Sequence, residues 1–130
     1  MPGNEESLTV LGSTVRAAIP HVECFPAPKT CSSVTFTTEE LSSVCPVTKQ
    51  PDISTVSIYY EPAELCVESK SLKLFLWSFR DAEVFAEQLA ADIATEILTS
   101  AQAQLVRVEL TQRPRGGIEL KTVSEQRLDG

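Results

Sequence analysis

The chain has 130 residues, which is enough for one domain with a substantial buried core. Its hydrophobic fraction of 42% and charged fraction of 22% are typical of a soluble globular protein, and no apolar run is long enough to cross a membrane. The net charge of −7 repels phosphate backbones, so we expect neither a nucleic acid nor a membrane as a direct partner.

The N-terminal half of the sequence predicts two strands after an irregular arm. Residues 1–32 hold four prolines and predict a loosely structured N-terminal arm, which leaves residues 33–130 as the single domain. Alternating apolar residues predict strands at Val34–Thr37 and Ser54–Tyr60. Prolines interrupt the polar segment Thr38–Asp52 between them, so this segment is predicted to be a loop.

The C-terminal half predicts two helices followed by two strands. Apolar residues at helical spacing predict a helix over Ser69–Phe79. A second helix is predicted over Asp81–Thr99, with Asp81 as its N-cap. Its predicted buried side consists of Phe85, Leu89, Ile93 and Ile97. Strands are predicted at Leu105–Thr111 and Ile118–Val123, joined by a hairpin-like turn.

The order of these elements predicts an α+β fold. Strands at both ends of the chain and helices in the middle are typical of a four-stranded antiparallel sheet with two helices on one face, a ββααββ arrangement. The open edges of such a sheet are a liability for a monomer. Pairing between subunits into a closed barrel would remove them, and the pattern permits this assembly without requiring it.

The spacing of the cysteines and the N-terminal residues indicate the cellular compartment of the protein and whether it binds a metal ion. Met1–Ser7 is acidic, whereas a secretion signal is basic and then apolar, so we expect a cytoplasmic protein. The four cysteines form no Cys-x-x-Cys pair, and His21 is the single histidine. We therefore expect no metal site, and we expect no disulfides in a cytoplasmic setting.

Three short segments carry a specific resemblance to a known family. They are SVCPVTKQPD at Ser43–Asp52, VESKSLK at Val67–Lys73 and RPRGGI at Arg113–Ile118, supported by Phe79–Arg80 and by Phe85 with Glu87. Over most of the domain the chain resembles the single-module 7-cyano-7-deazaguanine reductases of the tunnelling-fold superfamily. The resemblance implies a tunnelling fold, NADPH as the cofactor, 7-cyano-7-deazaguanine as the small-molecule substrate, and a homo-oligomer with active sites between subunits.

The same resemblance implies a role for the family in queuosine synthesis for tRNA, with 7-aminomethyl-7-deazaguanine as the product. Cys45 is implied as the nucleophile that adds to the nitrile carbon and forms a thioimide. Asp52 is implied as the group that takes the thiol proton and passes it to the nitrile nitrogen. On spacing alone, a structural cysteine beside a turn-forming Pro-Asp pair is the commoner explanation.

Ligand contacts are also implied by the resemblance. Glu87 would accept two N–H groups from one edge of the deazaguanine, and Val67, Glu68, Ser69 and Ala86 would complete the substrate site. The implied cofactor contacts are Lys70, Ser71, Lys73, Arg115 and Gly116. Without the resemblance, Lys70 and Lys73 are equally well explained as the solvated face of a helix, and for Glu87 a solvated helix residue is the far commoner explanation. The sequence contains no Gly-x-Gly-x-x-Gly, which excludes a Rossmann cofactor site.

Two positions depart from the family pattern. Ala86 stands where the family has a histidine before the glutamate, which leaves the supply of protons open; His21 from another subunit is one candidate replacement. Lys49 replaces a glycine of the cysteine loop, and because lysine disfavours positive φ, we expect a different turn there. Two alternatives stay open: an amidinotransferase-like relative, and a non-catalytic protein that binds a deazapurine.

Overall fold

The structure, a computed structural model, describes residues 21–129. In chain order its elements are β1 (Cys24–Pro26), β2 (Val34–Val44), β3 (Pro51–Glu61), β4 (Leu65–Val67), α1 (Ser69–Trp77), α2 (Ala86–Ala101), β5 (Leu105–Arg115) and β6 (Ile118–Arg127). The main sheet has four antiparallel strands in the order β2-β3-β5-β6, and β1 pairs with β4 in a separate two-stranded sheet. The predicted α+β fold is confirmed.

The core lies between the main sheet and α2. Alternation along β3 buries Val56, Ile58 and Tyr60, and the predicted helix residues Leu89, Ile93 and Ile97 are fully buried against them and against β5. Burying each of these large side chains stabilises the fold by about 1.5–3 kcal/mol. The opposite face of the sheet carries charged side chains. There the Arg107 guanidinium lies 2.9 Å from Glu109 and 3.2 Å from Glu125.

The strands are longer than the sequence predicted. The prediction of a loop from Thr38 is wrong, because β2 continues to Val44, and its pairing with β3 shifts register between Thr38 and Leu41. The polar residues Ser42 and Ser43 and the irregularity before them hide the alternation, while pairing with β3 decides the conformation. Pro51 begins β3, a position in which a strand tolerates proline.

The second predicted helix begins later than expected. The prediction of Asp81 as N-cap is wrong, since α2 begins at Ala86 with Phe85 in the cap position, and Phe85 is 56% exposed rather than buried. The preceding backbone is engaged elsewhere: Val44 N–H donates to the Ala82 carbonyl at 2.9 Å, and Val84 N–H donates to the Val44 carbonyl at 3.1 Å. These bonds tie the entry of α2 to the end of β2.

Part of the predicted N-terminal arm belongs to the fold. Val22 is buried in the core, and β1 pairs with β4 in antiparallel register. The Glu23 N–H donates to Ser71 Oγ at 2.8 Å, and Glu68 N–H donates to the Glu23 carbonyl at 2.8 Å. Residues 1–20 of the predicted arm lie outside the described residues. Neither helix of the described chain has the length and apolar character needed to span a membrane.

Candidate active site

Cys45 lies at the tip of the hairpin between β2 and β3. It directly follows the last residue of β2, and Pro51 begins β3. Two backbone hydrogen bonds of 2.9 Å close the loop: Cys45 N–H donates to the Gln50 carbonyl, and Lys49 N–H donates to the Cys45 carbonyl. The loop is therefore a compact turn that presents the thiol at one end of the sheet.

The environment of the Cys45 sulfur favours the thiolate. A hydrogen bond from the Thr48 side chain is the largest cause of the lowered pKa of Cys45, followed by the backbone N–H groups of Thr48 and Val47. The Thr48 nitrogen lies 3.4 Å from Sγ. Partial desolvation and the nearby Asp52 carboxylate act in the opposite direction. The net lowering makes this thiol a better nucleophile near neutral pH than an ordinary cysteine.

The pKa values of two other cysteines are shifted in the opposite direction, upward. Burial is the main cause that raises the pKa of Cys24 to about 11, with smaller contributions from Glu96, Cys66 and Glu23. Burial also raises the pKa of Cys66. Their thiols therefore stay protonated and behave as structural residues, which sets them apart from Cys45.

Asp52 is held by an arginine from the other end of the sequence. Its carboxylate is buried, and Oδ1 accepts a hydrogen bond from Arg115 Nη1 at 2.6 Å. Nη1 also donates to the Pro51 carbonyl at 3.1 Å, while Nη2 donates to Thr48 Oγ1 at 2.9 Å and to Gln50 Oε1 at 2.6 Å. The four terminal N–H groups of Arg115 are thus used within the cysteine loop, so its predicted contact with a cofactor remains a prediction.

A cleft of about 520 Å³ opens beside Cys45. It lies between the cysteine loop, the first turn of α2 and the β5–β6 hairpin, and its size is in the range of small-molecule sites. Its lining residues are Cys45, Thr48, Gln50, Asp52, Phe85, Ala86, Glu87, Gln112, Arg115, Gly116 and Leu120. The structure therefore brings the predicted nucleophile, proton carrier and base-binding glutamate to one place.

Other residues that were predicted to contact the substrate or the cofactor lie in a different part of the subunit. Ser69 and Lys73 line a second cleft of about 330 Å³ between β2 and α1, close to Phe36. The lining residue of this cleft that comes nearest to Cys45 along β2 is Glu40, five positions before it, which corresponds to about 15 Å of strand. The two clefts share no lining residue, so within the described subunit the Ser69–Lys73 group lies outside the cleft that contains Cys45.

Several of these residues serve the fold within the subunit. The Glu68 carboxylate caps α1 by accepting from Lys70 N–H at 2.9 Å and from Ser71 N–H at 2.8 Å. Ser71 is fully buried, and its hydroxyl donates to the Glu68 carbonyl at 2.8 Å. Val67 and Ala86 are also buried. Their predicted ligand contacts remain predictions, and the burial of Ser71 leaves its hydroxyl no direct access to a cofactor in this conformation.

Thr48 is a site residue that sequence reasoning missed. It contacts both Cys45 and Arg115, yet it belongs to a polar loop in which threonine is common. The only available signal was its spacing, because a hydroxyl three residues after a cysteine can reach back across a closed turn. His21, the proposed substitute for the missing histidine, is not among the residues that line either cleft.

The expected change of turn at Lys49 is wrong. Lys49 adopts the left-handed conformation with φ of 63°, as a glycine would. The two hydrogen bonds that close the loop fix this geometry, and Lys49 Nζ pairs with the Glu83 carboxylate at 2.5 Å. The strain of an L-residue in this conformation is therefore borne by the surrounding bonds.

Replacing Lys49 by glycine is expected to give a more stable protein than replacing it by alanine, by roughly 0.5–1 kcal/mol in the free energy of unfolding. Both variants lose the ion pair with Glu83, but only the alanine variant keeps the ~1–2 kcal/mol strain of the left-handed conformation. Glycine loses more chain entropy on folding, which offsets part of this difference in the free energy of unfolding. Urea unfolding of the two variants measures the difference. An alanine variant at least as stable as the glycine variant would contradict the strain at this position.

Comparison with known proteins identifies similar chains. Residues 51–129 match the family model described as QueF-like protein. An NADPH-dependent 7-cyano-7-deazaguanine reductase of Anaeromyxobacter sp. (strain Fw109-5) is 42% identical over 99 residues, covering 75% of this chain and 81% of that protein. The protein of the same name from Thiobacillus denitrificans is 38% identical over 111 residues, covering 84% and 80%.

Two further comparisons bear on length and fold. The protein of that name from Desulfovibrio desulfuricans is 37% identical over 107 residues, which are 82% of this chain but only 63% of that protein's length. Among solved structures, the archaeosine synthase QueF-Like in its apo form matches with a TM-score of 0.71 and 29% identity, covering 75% of this chain and 95% of that one.

Proposed function

The chain belongs to the QueF-like protein family, and on this premise we propose that it is an NADPH-dependent 7-cyano-7-deazaguanine reductase with Cys45 as its nucleophile. The observation that carries the proposal is the cleft in which Cys45, Asp52 and Glu87 meet. Relatives that bear this activity in their names are 37–42% identical to the chain. A thiol with a lowered pKa suits the addition to a nitrile carbon.

The first chemical step joins Cys45 to the substrate. The loop N–H groups stabilise the thiolate, which attacks the nitrile carbon and forms a C–S bond. Asp52 carries the thiol proton to the nitrile nitrogen, which yields a neutral thioimide. Glu87 holds the base by accepting its ring N–H and exocyclic amine, so that the nitrile faces the sulfur.

The reduction that follows consumes two hydrides and two protons. NADPH, when bound, supplies the hydrides. After the first reduction the C–S bond breaks, and Cys45 leaves as the thiolate that the loop stabilises. The cleft walls, including Phe85 and Leu120, limit the access of water to the reactive imine before it becomes the aminomethyl group.

We place the cofactor phosphates at the Lys73 edge of the second cleft. Lys73 is an exposed cation at its edge, with the Ser69 hydroxyl beside it. Because this group and Cys45 line different clefts of the subunit, the complete site takes the Lys73 group from another copy. The open edges of β2 and β6 offer the surfaces for such a homo-oligomer.

The remaining assignments follow from charge and cysteine chemistry. A net charge of −7 disfavours direct contact with nucleic acid, so the substrate is the free base rather than tRNA. No membrane partner is invoked. We place the reaction in the cytoplasm because all four cysteines are free, as expected in a reducing compartment.

One observation favours a second candidate. The structural match to an archaeosine synthase is compatible with an amidinotransferase-like reaction, in which an amine rather than hydride attacks the thioimide. Lys70 and Lys73 favour the reductase, because a cation pair near a helix start suits cofactor phosphates.

The stoichiometry of cofactor oxidation distinguishes these functions. We expect the protein to oxidise two equivalents of NADPH per 7-cyano-7-deazaguanine, and to oxidise none without the nitrile. Absorbance of NADPH and chromatography of the product measure both quantities in one reaction. A nitrile that binds covalently while NADPH stays unoxidised would support the transferase or the non-catalytic alternative instead.

A further inference from the structure

The Cys45 loop contains a hydroxyl whose direction is fixed by its neighbours. Thr48 Oγ1 accepts hydrogen bonds from Arg115 Nη2 at 2.9 Å and from the Gln50 N–H at 3.4 Å. A threonine hydroxyl has two acceptor lone pairs and one hydrogen to donate. With both lone pairs occupied by N–H donors, the hydrogen is left for a third acceptor, and the Cys45 sulfur lies next to this residue, 3.4 Å from the Thr48 nitrogen.

The geometry points to Thr48 as a further catalytic residue, one that stabilises the Cys45 thiolate through its hydroxyl, and to Arg115 as the residue that positions this hydroxyl. The inference rests on the proposed function only in taking Cys45 as the nucleophile. The backbone of Thr48 contributes separately, since its nitrogen lies 3.4 Å from Sγ and is unaffected by a change of side chain. A thiolate that is stabilised in the free enzyme is also a better leaving group when the C–S bond breaks.

The charged groups around the Cys45 sulfur make a hydroxyl donor important for stabilising its thiolate. Asp52 opposes the thiolate, and Arg115 is committed to Asp52 at 2.6 Å rather than to the sulfur. Glu87 lines the same cleft from α2, while Lys49 pairs with Glu83 at 2.5 Å. A neutral donor beside Sγ therefore offsets the unfavourable Asp52 carboxylate.

The test measures the ionisation of Cys45 without substrate or cofactor. Alkylation by iodoacetamide is followed against pH by mass spectrometry of the Cys45 peptide. In Thr48→Val we expect the rate at pH 7 to fall about three- to tenfold and the midpoint of the profile to move up, with the rates converging at alkaline pH where the thiol ionises in both proteins. Thr48→Ser keeps the hydroxyl and should keep the wild-type midpoint.

Matched variants keep the result interpretable. Thr99→Val, on the exposed end of α2, should leave the profile unchanged. If Thr48→Val does not fold, Thr48→Ala takes its place. A wild-type midpoint in the variant that lacks the hydroxyl would overturn the role of Thr48. Because neither nitrile nor NADPH is present, failure of the reductase assignment would not alter this outcome.

Arg115 is tested in two backgrounds. Arg115→Met should lower the alkylation rate at pH 7 in the wild-type protein, and its effect should shrink in the Thr48→Val background, because the residue acts through the hydroxyl. An equal effect of Arg115→Met in both backgrounds would overturn the positioning role, since Arg115 would then act on the sulfur by way of Asp52 alone.

Discussion

Replacing Cys45 by alanine is expected to abolish the nitrile-dependent oxidation of NADPH, with kcat lowered by about 10⁴-fold or more. The thiol supplies the bond that makes the nitrile carbon reducible, and no other group in the cleft is a comparable nucleophile: its remaining lining residues offer a hydroxyl, amides, carboxylates, a guanidinium and apolar groups. Because Cys45 is on a loop outside the core, the variant should fold as the wild type does. Steady-state absorbance of NADPH measures the loss.

Two matched variants support this experiment. Cys45→Ser keeps the size of the side chain but offers a hydroxyl that is far harder to ionise, so it should be inactive as well. Cys31→Ala removes a partly exposed thiol outside the cleft and should keep wild-type kcat. Activity that survives in Cys45→Ala and is lost in Cys31→Ala would move the chemistry to another part of the molecule.

Replacing Glu87 by alanine should lower kcat/KM by about 10²–10³-fold through the loss of two charge-assisted hydrogen bonds to the base. Glu87 lies in the exposed first turn of α2, so its removal leaves the core intact. The effect should extend to kcat, because an unoriented base no longer presents its nitrile to Cys45. Initial rates over a range of nitrile concentrations separate the two parameters.

The control for this variant is another acidic residue of the same helix. Asp92→Ala removes a carboxylate that accepts only a surface hydrogen bond from Gln88 at 2.7 Å among its described contacts, and it should leave kcat/KM unchanged. An equal fall in both variants would mean that Glu87 acts through the charge of the helix rather than by holding the base.

The sequence predicted the fold well where the pattern of burial is regular. Alternation at Val56, Ile58 and Tyr60 and helical spacing at Leu89 and Ile93 identify residues that are fully buried. It failed where partners distant in the chain decide the conformation. Phe85 has the spacing of the first buried residue of α2. Backbone hydrogen bonds between the end of β2 and residues 82–84 make the helix begin later in the chain, which leaves this ring exposed.

The same limit applies to the site. Local motifs located Cys45 and Asp52, whereas the pairing of Asp52 with Arg115 joins residues 63 positions apart and has no local pattern. The left-handed Lys49 could not be predicted because the closing bonds of the loop, rather than its own preference, fix its φ. The separation of the Lys73 group and Cys45 into two clefts likewise has no local pattern in the sequence.

The central chemical claim is that Cys45 itself captures the nitrile, and the most direct measurement of it is tandem mass spectrometry of the protein mixed with 7-cyano-7-deazaguanine in the absence of NADPH. We predict an adduct with the mass of the nitrile on the peptide that contains Cys45, at one per subunit in the wild type and absent from Cys45→Ala. An adduct on any other peptide, or turnover with NADPH by a protein that forms none on Cys45, would contradict the account.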